Sequence, residues 1–367
     1  MNLYQTLKGL EQFVKEWPKY TKLLKSLGET QEDLKKAMVP ISRLNQLDRL
    51  SELSHLSHLN QLSRLSELEQ LSQLAKASQP APSASLNAVE YQAQWPNPKM
   101  ELPLARATTR SSLCKQADFL SEYHQAWCRV LRESPIFHRK QWEFVYILES
   151  LKQRGMLVSG KRGLGFAVGN EPLPSVFASM GCDVVATDIH PETGTEKGWT
   201  HGNQLCFGVD GLNKRKICDE AEFKKRCTYR PVDMNHIPED LREFDFNWSS
   251  CSFEHLGSIE KGLAFVRNQL KTLKSGGWAV HTTEYNLSSN DETLEEPNCV
   301  AFRQRDIEKV VAEIRADGHF VEELDYSIGW LPYDYKIDTP PFRQNPHLRL
   351  QLSKFICTSI GLIIRKR

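Results

Sequence analysis

The chain has 367 residues, 25% of them charged, and 47 Lys and Arg against 46 Asp and Glu leave a formal net charge of +1, so there is no basic excess for nucleic acid and no acidic tail for a basic partner. No apolar run approaches the roughly 20 residues of a membrane span, and the opening MNLYQTLKGLEQFV lacks the apolar core and cleavage site of a signal peptide. Nine cysteines without a C-x-x-C pair read as reduced thiols, which points to a cytoplasmic setting and no metal.

Residues 1–75 read as a helical, coiled-coil-like stalk. Leu3, Leu7, Leu10, Phe13 and Val14 recur at helical spacing, and Thr30 to Asp33 resembles a capping box. From Leu44 to Leu74 leucine then recurs at every third residue. An α-helix turns about 100° per residue, so this period drifts by about 60° per repeat and winds the leucines around the whole helix. That is not a heptad seam, and a helix apolar on several faces needs partners. Homo-oligomerisation through the stalk is therefore expected; a low-complexity expansion is the alternative reading. Residues 76–106, with ASQPAPSAS and QWPNPKMELP, form a Pro/Ser-rich linker.

Residues 107–367 form the expected catalytic domain. Residues 107–134 look helical, and a helix over 138–153 carries Trp142, Val145, Tyr146, Leu148 and Leu151. Strands are predicted near 164–168, 183–187, 228–232, 244–250, 277–283, 320–326 and 356–364, and helices near 173–180, 216–226, 258–273 and 304–316. This alternation predicts a Rossmann-like α/β domain with a seven-stranded, mostly parallel sheet covered on both faces.

GLGFAVGNEPLPSVFASMGCDVVATDIH, residues 163–190, reads as a strand, a loop, a helix and a second strand ending on Asp188. An acid at that strand tip can accept hydrogen bonds from both hydroxyls of a ribose. Only the first glycine of a dinucleotide loop, Gly169, is present. Glu171 stands where a pyrophosphate would lie, and Pro172 and Pro174 remove N–H donors. A nucleoside ligand without phosphate, such as S-adenosylmethionine with its ammonium and sulfonium, suits the loop best. A purely structural unit and a nicotinamide or flavin site are the alternatives.

The segments GLGFAVGNEPLPSVFA, DVVATDIH, FDFNWSSCSFEHLGSIEKGLAF and LKSGGWAVHTTEYN occur in that order. From about His138 to Arg367 the chain resembles class I S-adenosylmethionine-dependent methyltransferases, in a bacterial branch often linked with glycan or secondary-metabolite modification. The resemblance implies that cofactor and an antiparallel last strand near the sheet edge. It also implies that Asp233 after the third strand reaches the adenine amino group. Ala167 stands where the superfamily usually has an acid, and Glu171 is a plausible substitute for the contact to the methionine ammonium.

The fourth predicted strand ends at Ser249 to Leu256, which places Glu254 and His255 near the reacting centre. His255 suits a general base at neutral pH, or packs structurally on the next helix. On the fifth strand, alternation sends His281 and Thr283 to one face and Thr282 and Glu284 to the other. Glu284 or Asn286 at its tip could bind an acceptor hydroxyl. The catalytic candidates are thus His255 and Glu284, and the cofactor-binding candidates are Gly169, Glu171, Asp188, Asp233 and Glu254.

Segments 190–215, 285–303 and 329–350 exceed what the fold needs. Their Trp199, His201, Phe207, Phe302, Arg303, Trp330, Tyr333, Tyr335, Phe342 and Arg343 suit a sugar or another flat polar acceptor, or simple loop packing. His138, Arg139 and Lys140 read as a solvated helix start more readily than as an anion site. O-methylation of a glycan or other small polar acceptor is expected; a non-catalytic scaffold working through its stalk is the rival.

Overall fold

A computed structural model of the chain describes residues 108–190, 205–206, 208–343 and 345–367. The stalk, the leucine repeat and the linker lie outside the described residues, as do Trp199, His201 and Phe207. In chain order the elements begin with β1 (Ser111–Ser112), α1 (Gln116–Phe119), α2 (Glu122–Val130) and α3 (Arg139–Gln153). The loop unit follows as β2 (Arg162–Phe166), α4 (Leu173–Ser179) and β3 (Asp183–Asp188). Next come α5 (Glu220–Arg226), β4 (Cys227–Pro231), β5 (Phe244–Ser250), a 3-10 turn over Phe253–His255, α6 (Ile259–Asn268) and β6 (Leu273–Asn286). The last third holds β7 (Glu295–Glu296), β8 (Cys299–Val300), α7 (Gln304–Ala316), β9 (Phe320–Val321) and β10 (Leu324–Asp325). It closes with β11 (Ile337–Asp338), β12 (Arg349–Leu352) and β13 (Phe355–Arg365).

The central sheet runs β11-β12-β13-β6-β5-β2-β3-β4, with β9 also pairing β13. The four pairings among β4, β3, β2, β5 and β6 are parallel, as is that of β11 with β12, and β13 is antiparallel to β6, β9 and β12. This is a Rossmann-like α/β sheet. Two expectations need correction. The sheet has nine strands among the described residues, because segment 329–350 supplies β11 and β12 instead of lying over the domain as a loop. For the same reason β13 is antiparallel as expected but interior.

The predicted strand over 320–326 divides. β9 joins the central sheet, whereas β10 pairs with β1 in a separate two-stranded ladder. The predicted helix over 107–134 is likewise a short strand followed by two short helices. Ser121 caps the second of these, accepting a hydrogen bond from the His124 N–H, and so fixes its start.

Helices cover both faces. On one side Trp142, Val145 and Leu148 of α3 and Val176 and Phe177 of α4 pack with Phe246 and Trp248 of β5. On the other, Phe265 and Val266 of α6 and Ile307, Val310 and Ile314 of α7 pack with Leu164 and Phe166 of β2. Two-residue alternation along the strands assigns these side chains to opposite layers. The carboxyl ends of β2, β3, β4, β5 and β6 therefore emerge together at one end of the sheet, where ligands of such sheets bind. No described helix is long and apolar enough to cross a membrane.

Candidate functional site

The first part of the site is built on a close approach. A Cβ at Gly165 would lie 2.4 Å from the Trp248 ring on the neighbouring strand. The glycine therefore lets the indole lie over β2, wedged against Phe177 at 4.7 Å. There Trp248 donates its Nε1–H to Glu171 Oε1 at 2.6 Å. Glu171 is only 8% exposed. Burial pushes its carboxyl up to about 8, only partly offset by the Trp248 hydrogen bond, so it is mostly protonated at pH 7.

The loop between β2 and α4 is pinned to β3. Gly169, with φ +51°, donates its N–H to Asp188 Oδ2 at 3.0 Å, and Cys206 N–H donates to the same oxygen at 3.0 Å. Ile189 N–H donates to Asp188 Oδ1 at 2.8 Å. Asp188 is 2% exposed, and burial raises its carboxyl above the usual carboxylate range against these three backbone donors. Ala167 (φ +47°) at the tip of β2 and Cys251 (φ +47°) at the tip of β5 both adopt the left-handed region. Such conformations in non-glycine residues cost on the order of 1–3 kcal/mol and gather at functional sites.

A buried charge network forms the second part. Arg139, at the start of α3, reaches Glu284 Oε2 on β6 at 2.8 Å and Glu143 Oε1 one turn along at 3.3 Å. It also donates to Ser359 Oγ of β13 at 3.0 Å and lies 3.4 Å from Cys251 Sγ. Glu143 in turn meets Lys140 Nζ at 2.8 Å and accepts from Ser250, Cys251 and Ser359 at 3.1, 3.0 and 2.5 Å. Burial would raise Glu143, but Lys140 and Arg139 overcome it and hold the carboxylate at about 2. For Glu284 burial prevails over Arg139 and lifts the group to about 7. Burial also raises the Cys251 thiol well above its ordinary value, so it stays protonated and donates to Glu143. Arg139 at the start of α3 is thus not simply solvated: Glu284 of β6, Cys251 just past β5 and Ser359 of β13 all meet its guanidinium.

The remaining candidates occupy the tips of β4, β5 and β6. Glu254, in the 3-10 turn after β5, is 2% exposed and accepts from Thr283 Oγ1 at 2.9 Å. His255 beside it is 33% exposed. Its Nδ1 donates to the Asn298 carbonyl at 2.6 Å, so in the neutral ring Nε2 carries the lone pair, 4.0 Å from Glu254 Oε1. Glu254, Glu284 and Cys251 converge: one ligand-type atom from each lies within 4.8 Å of the others. Asp233, just beyond β4, caps its own turn. It accepts from Asn235 N–H at 2.8 Å and meets His236 Nδ1 at 3.1 Å. Burial pulls Asp233 upward, but these donors outweigh it and its carboxyl lies below the usual value.

The structure therefore brings Gly169 to Asp188, Glu171 to Trp248, and Glu254 to both His255 and Glu284. Asn286 turns away, donating to Glu292 and Thr293 at 3.0 and 3.1 Å. Sequence reasoning missed Glu143, Trp248, Cys251 and Ser359. The available signal was Glu143 itself, a charged residue inside the apolar run of α3 and one turn beyond Arg139.

No family model matches the chain, and no curated relative matches it. Among solved structures, the chain is similar to the glycopeptide N-methyltransferase MtfA, at 14% identity and a TM-score of 0.36, covering 60% of this chain and 94% of that one. An S-adenosylmethionine-dependent methyltransferase from Clostridium acetobutylicum ATCC 824 shows 13% identity and a TM-score of 0.34, over 62% and 92% of the two chains. TehB from Haemophilus influenzae shows 15% identity and a TM-score of 0.38, over 60% and 61%.

Proposed function

We propose that this protein is an S-adenosylmethionine-dependent methyltransferase acting on a hydroxyl of a glycan or another small polar acceptor. The observation that carries this reading is the chemistry of the crevice at the strand tips. Its loop is pinned by Gly169 to the acid Asp188, yet Pro172 and Pro174 stand where a phosphate would need N–H donors. Around it lie the carboxyls of Glu171, Glu254 and Glu284. This acceptor-rich set offers a pyrophosphate few N–H donors and fits a nucleoside bearing an ammonium and a sulfonium.

Asp188 would hold the ribose, Asp233 the adenine end and Glu171 the methionine ammonium, with Glu254 beside the reacting centre. When bound, the cofactor supplies a methyl group on a sulfonium, a good leaving group. The chain's own task is to align the acceptor, take its proton and keep water out. His255 is the proton acceptor: its Nδ1–H is committed to Asn298, which orients Nε2 toward the crevice side that holds Glu254. Glu284 faces the same space and orients the acceptor.

Calorimetric titration with S-adenosylhomocysteine, which keeps every group but the methyl, tests the cofactor assignment. The wild type should bind it and not NAD. Losing a charge-assisted hydrogen bond costs about 1.5–3 kcal/mol, so Asp188→Ala should bind about tenfold more weakly or worse. Preference for NAD, or unchanged affinity in Asp188→Ala, overturns the assignment. Labelled cofactor incubated with an extract of candidate glycans then identifies the species that gains a methyl.

A further inference from the structure

The pair Glu254 and Glu284 has one feature that methyl transfer to a plain hydroxyl leaves unexplained. Glu284 is 3% exposed, and Arg139 holds only its Oε2. Its other oxygen, Oε1, is buried with no hydrogen-bond donor. An unmade hydrogen bond at a buried carboxylate is costly, and buried polar atoms are nearly always satisfied. Near this carboxyl is Glu254, whose Oε2 takes the Thr283 hydroxyl and whose Oε1 lies 4.0 Å from His255 Nε2. A Glu254 oxygen, a Glu284 oxygen and Cys251 Sγ lie within 4.8 Å of one another. A nitrogen placed between two oxygens at that spacing can reach both at about 2.9 Å.

We infer that the carboxylates of Glu254 and Glu284 bind a protonated amine on the acceptor, adjacent to the hydroxyl that His255 deprotonates. The inference rests on the methyltransferase reading above. An ammonium carries three donors and no acceptor, which matches the two neighbouring carboxyl groups. The charge of the surroundings agrees. Glu143 is already neutralised by Arg139 and Lys140, whereas among the described residues Glu254 has only the partly exposed His255 within ion-pair distance, at 4.0 Å. A divalent metal is the poorer occupant. Cys251 is a protonated thiol donating to Glu143, and the Arg139 guanidinium stands 3.4 Å from its sulfur and 2.8 Å from Glu284. A metal would sit against a fixed cation with two anionic ligands at most. His255 Nε2 near Glu254 places base and ammonium site side by side, so the acceptor is an amino alcohol unit such as an amino sugar.

The test uses the full chain loaded with S-adenosylhomocysteine and a matched set of sugars titrated at pH 7. Glucosamine carries an amine that is largely protonated there, glucose a hydroxyl in its place and N-acetylglucosamine a neutral amide. Glucosamine should bind at least about tenfold more tightly than either of the others, the worth of one charge-assisted hydrogen bond. Glu284→Gln, whose amide oxygen can still accept from Arg139, should remove the preference, as should Glu254→Gln. Circular dichroism and the melting temperature report whether each variant is folded. Equal binding of glucosamine and glucose, or no saturable glucosamine binding, overturns the inference while leaving the methyltransferase reading intact. So does magnesium or manganese ion that binds saturably and displaces glucosamine. Failure of the wild type to bind S-adenosylhomocysteine removes the methyltransferase reading and this inference together.

Discussion

Glu171 offers a test in which sign and size both follow from its surroundings. Buried against the Trp248 indole, its carboxyl is raised to about 8, so at pH 7 it is mostly neutral. An ammonium of the ligand is best held by the ionised form. Ionising the group first costs about 1.4 kcal/mol at pH 7 and about 2.7 kcal/mol at pH 6. The ligand's own amino group, an α-amine with a pKa of about 7.8, loses its charge as pH rises further. Affinity should therefore follow a bell. It rises about eightfold from pH 6 to 7 and two- to threefold more to pH 8, then falls by about a factor of three to four by pH 9. The acid limb belongs to the protein and the basic limb to the ligand.

Glu171→Gln separates the two. Its amide oxygen can still accept the Trp248 N–H, so the loop should keep its shape. The variant should lose the acid limb and keep the basic one. A charge-assisted hydrogen bond contributes about 1.5–3 kcal/mol. At pH 8 the wild type should therefore bind more tightly, while at pH 6 the ionisation cost cancels most of that gain and the two should nearly match. Calorimetry with S-adenosylmethionine, whose sulfonium lowers its amine to that range, measures this directly across pH 6–9. A wild-type affinity that is flat between pH 6 and 7, or an acid limb that persists in Glu171→Gln, refutes the assignment of Glu171 to the ammonium.

Three further predictions concern the fold, the chemistry and the assembly. Gly165→Ala would place a Cβ 2.4 Å from the Trp248 ring, so it should destabilise the domain by about 1–3 kcal/mol, the usual range for overpacking, and weaken cofactor binding; an unchanged melting temperature would show that the ring moves without consequence. His255→Asn should slow methyl transfer by about 10²- to 10⁴-fold while keeping S-adenosylhomocysteine affinity; a rate within about threefold of wild type would leave alignment alone as the catalytic means. We also propose that the leucine repeat assembles the protein, so that a chain beginning at Ala77 is monomeric and still binds cofactor. Equal masses for full-length and shortened chains by light scattering would refute that.

The sequence by itself determined what depends on neighbours along the chain. Apolar runs, glycine punctuation and the acid at the tip of β3 located the β2-α4-β3 unit, and with it Gly169 and Asp188, which the fold joins by one hydrogen bond. Alternation along β6 correctly separated Thr283, which meets Glu254, from Glu284, which meets Arg139. Tertiary structure decided what depends on residues distant in sequence. Trp248 lies 77 positions from the Glu171 it holds, and Ser359 lies 216 from Glu143. The same holds for Arg139: alone, a basic residue at a helix start belongs in water, where its hydration is favourable. It is buried here because Glu143 and Glu284 arrive from α3 and β6 to replace that hydration, and no pattern within α3 encodes the arrival of β6. Segment 329–350 shows the same limit. Its two short strands have too few residues to display a period, and they exist as strands because the edge of β13 offers β12 a partner and β12 in turn offers one to β11.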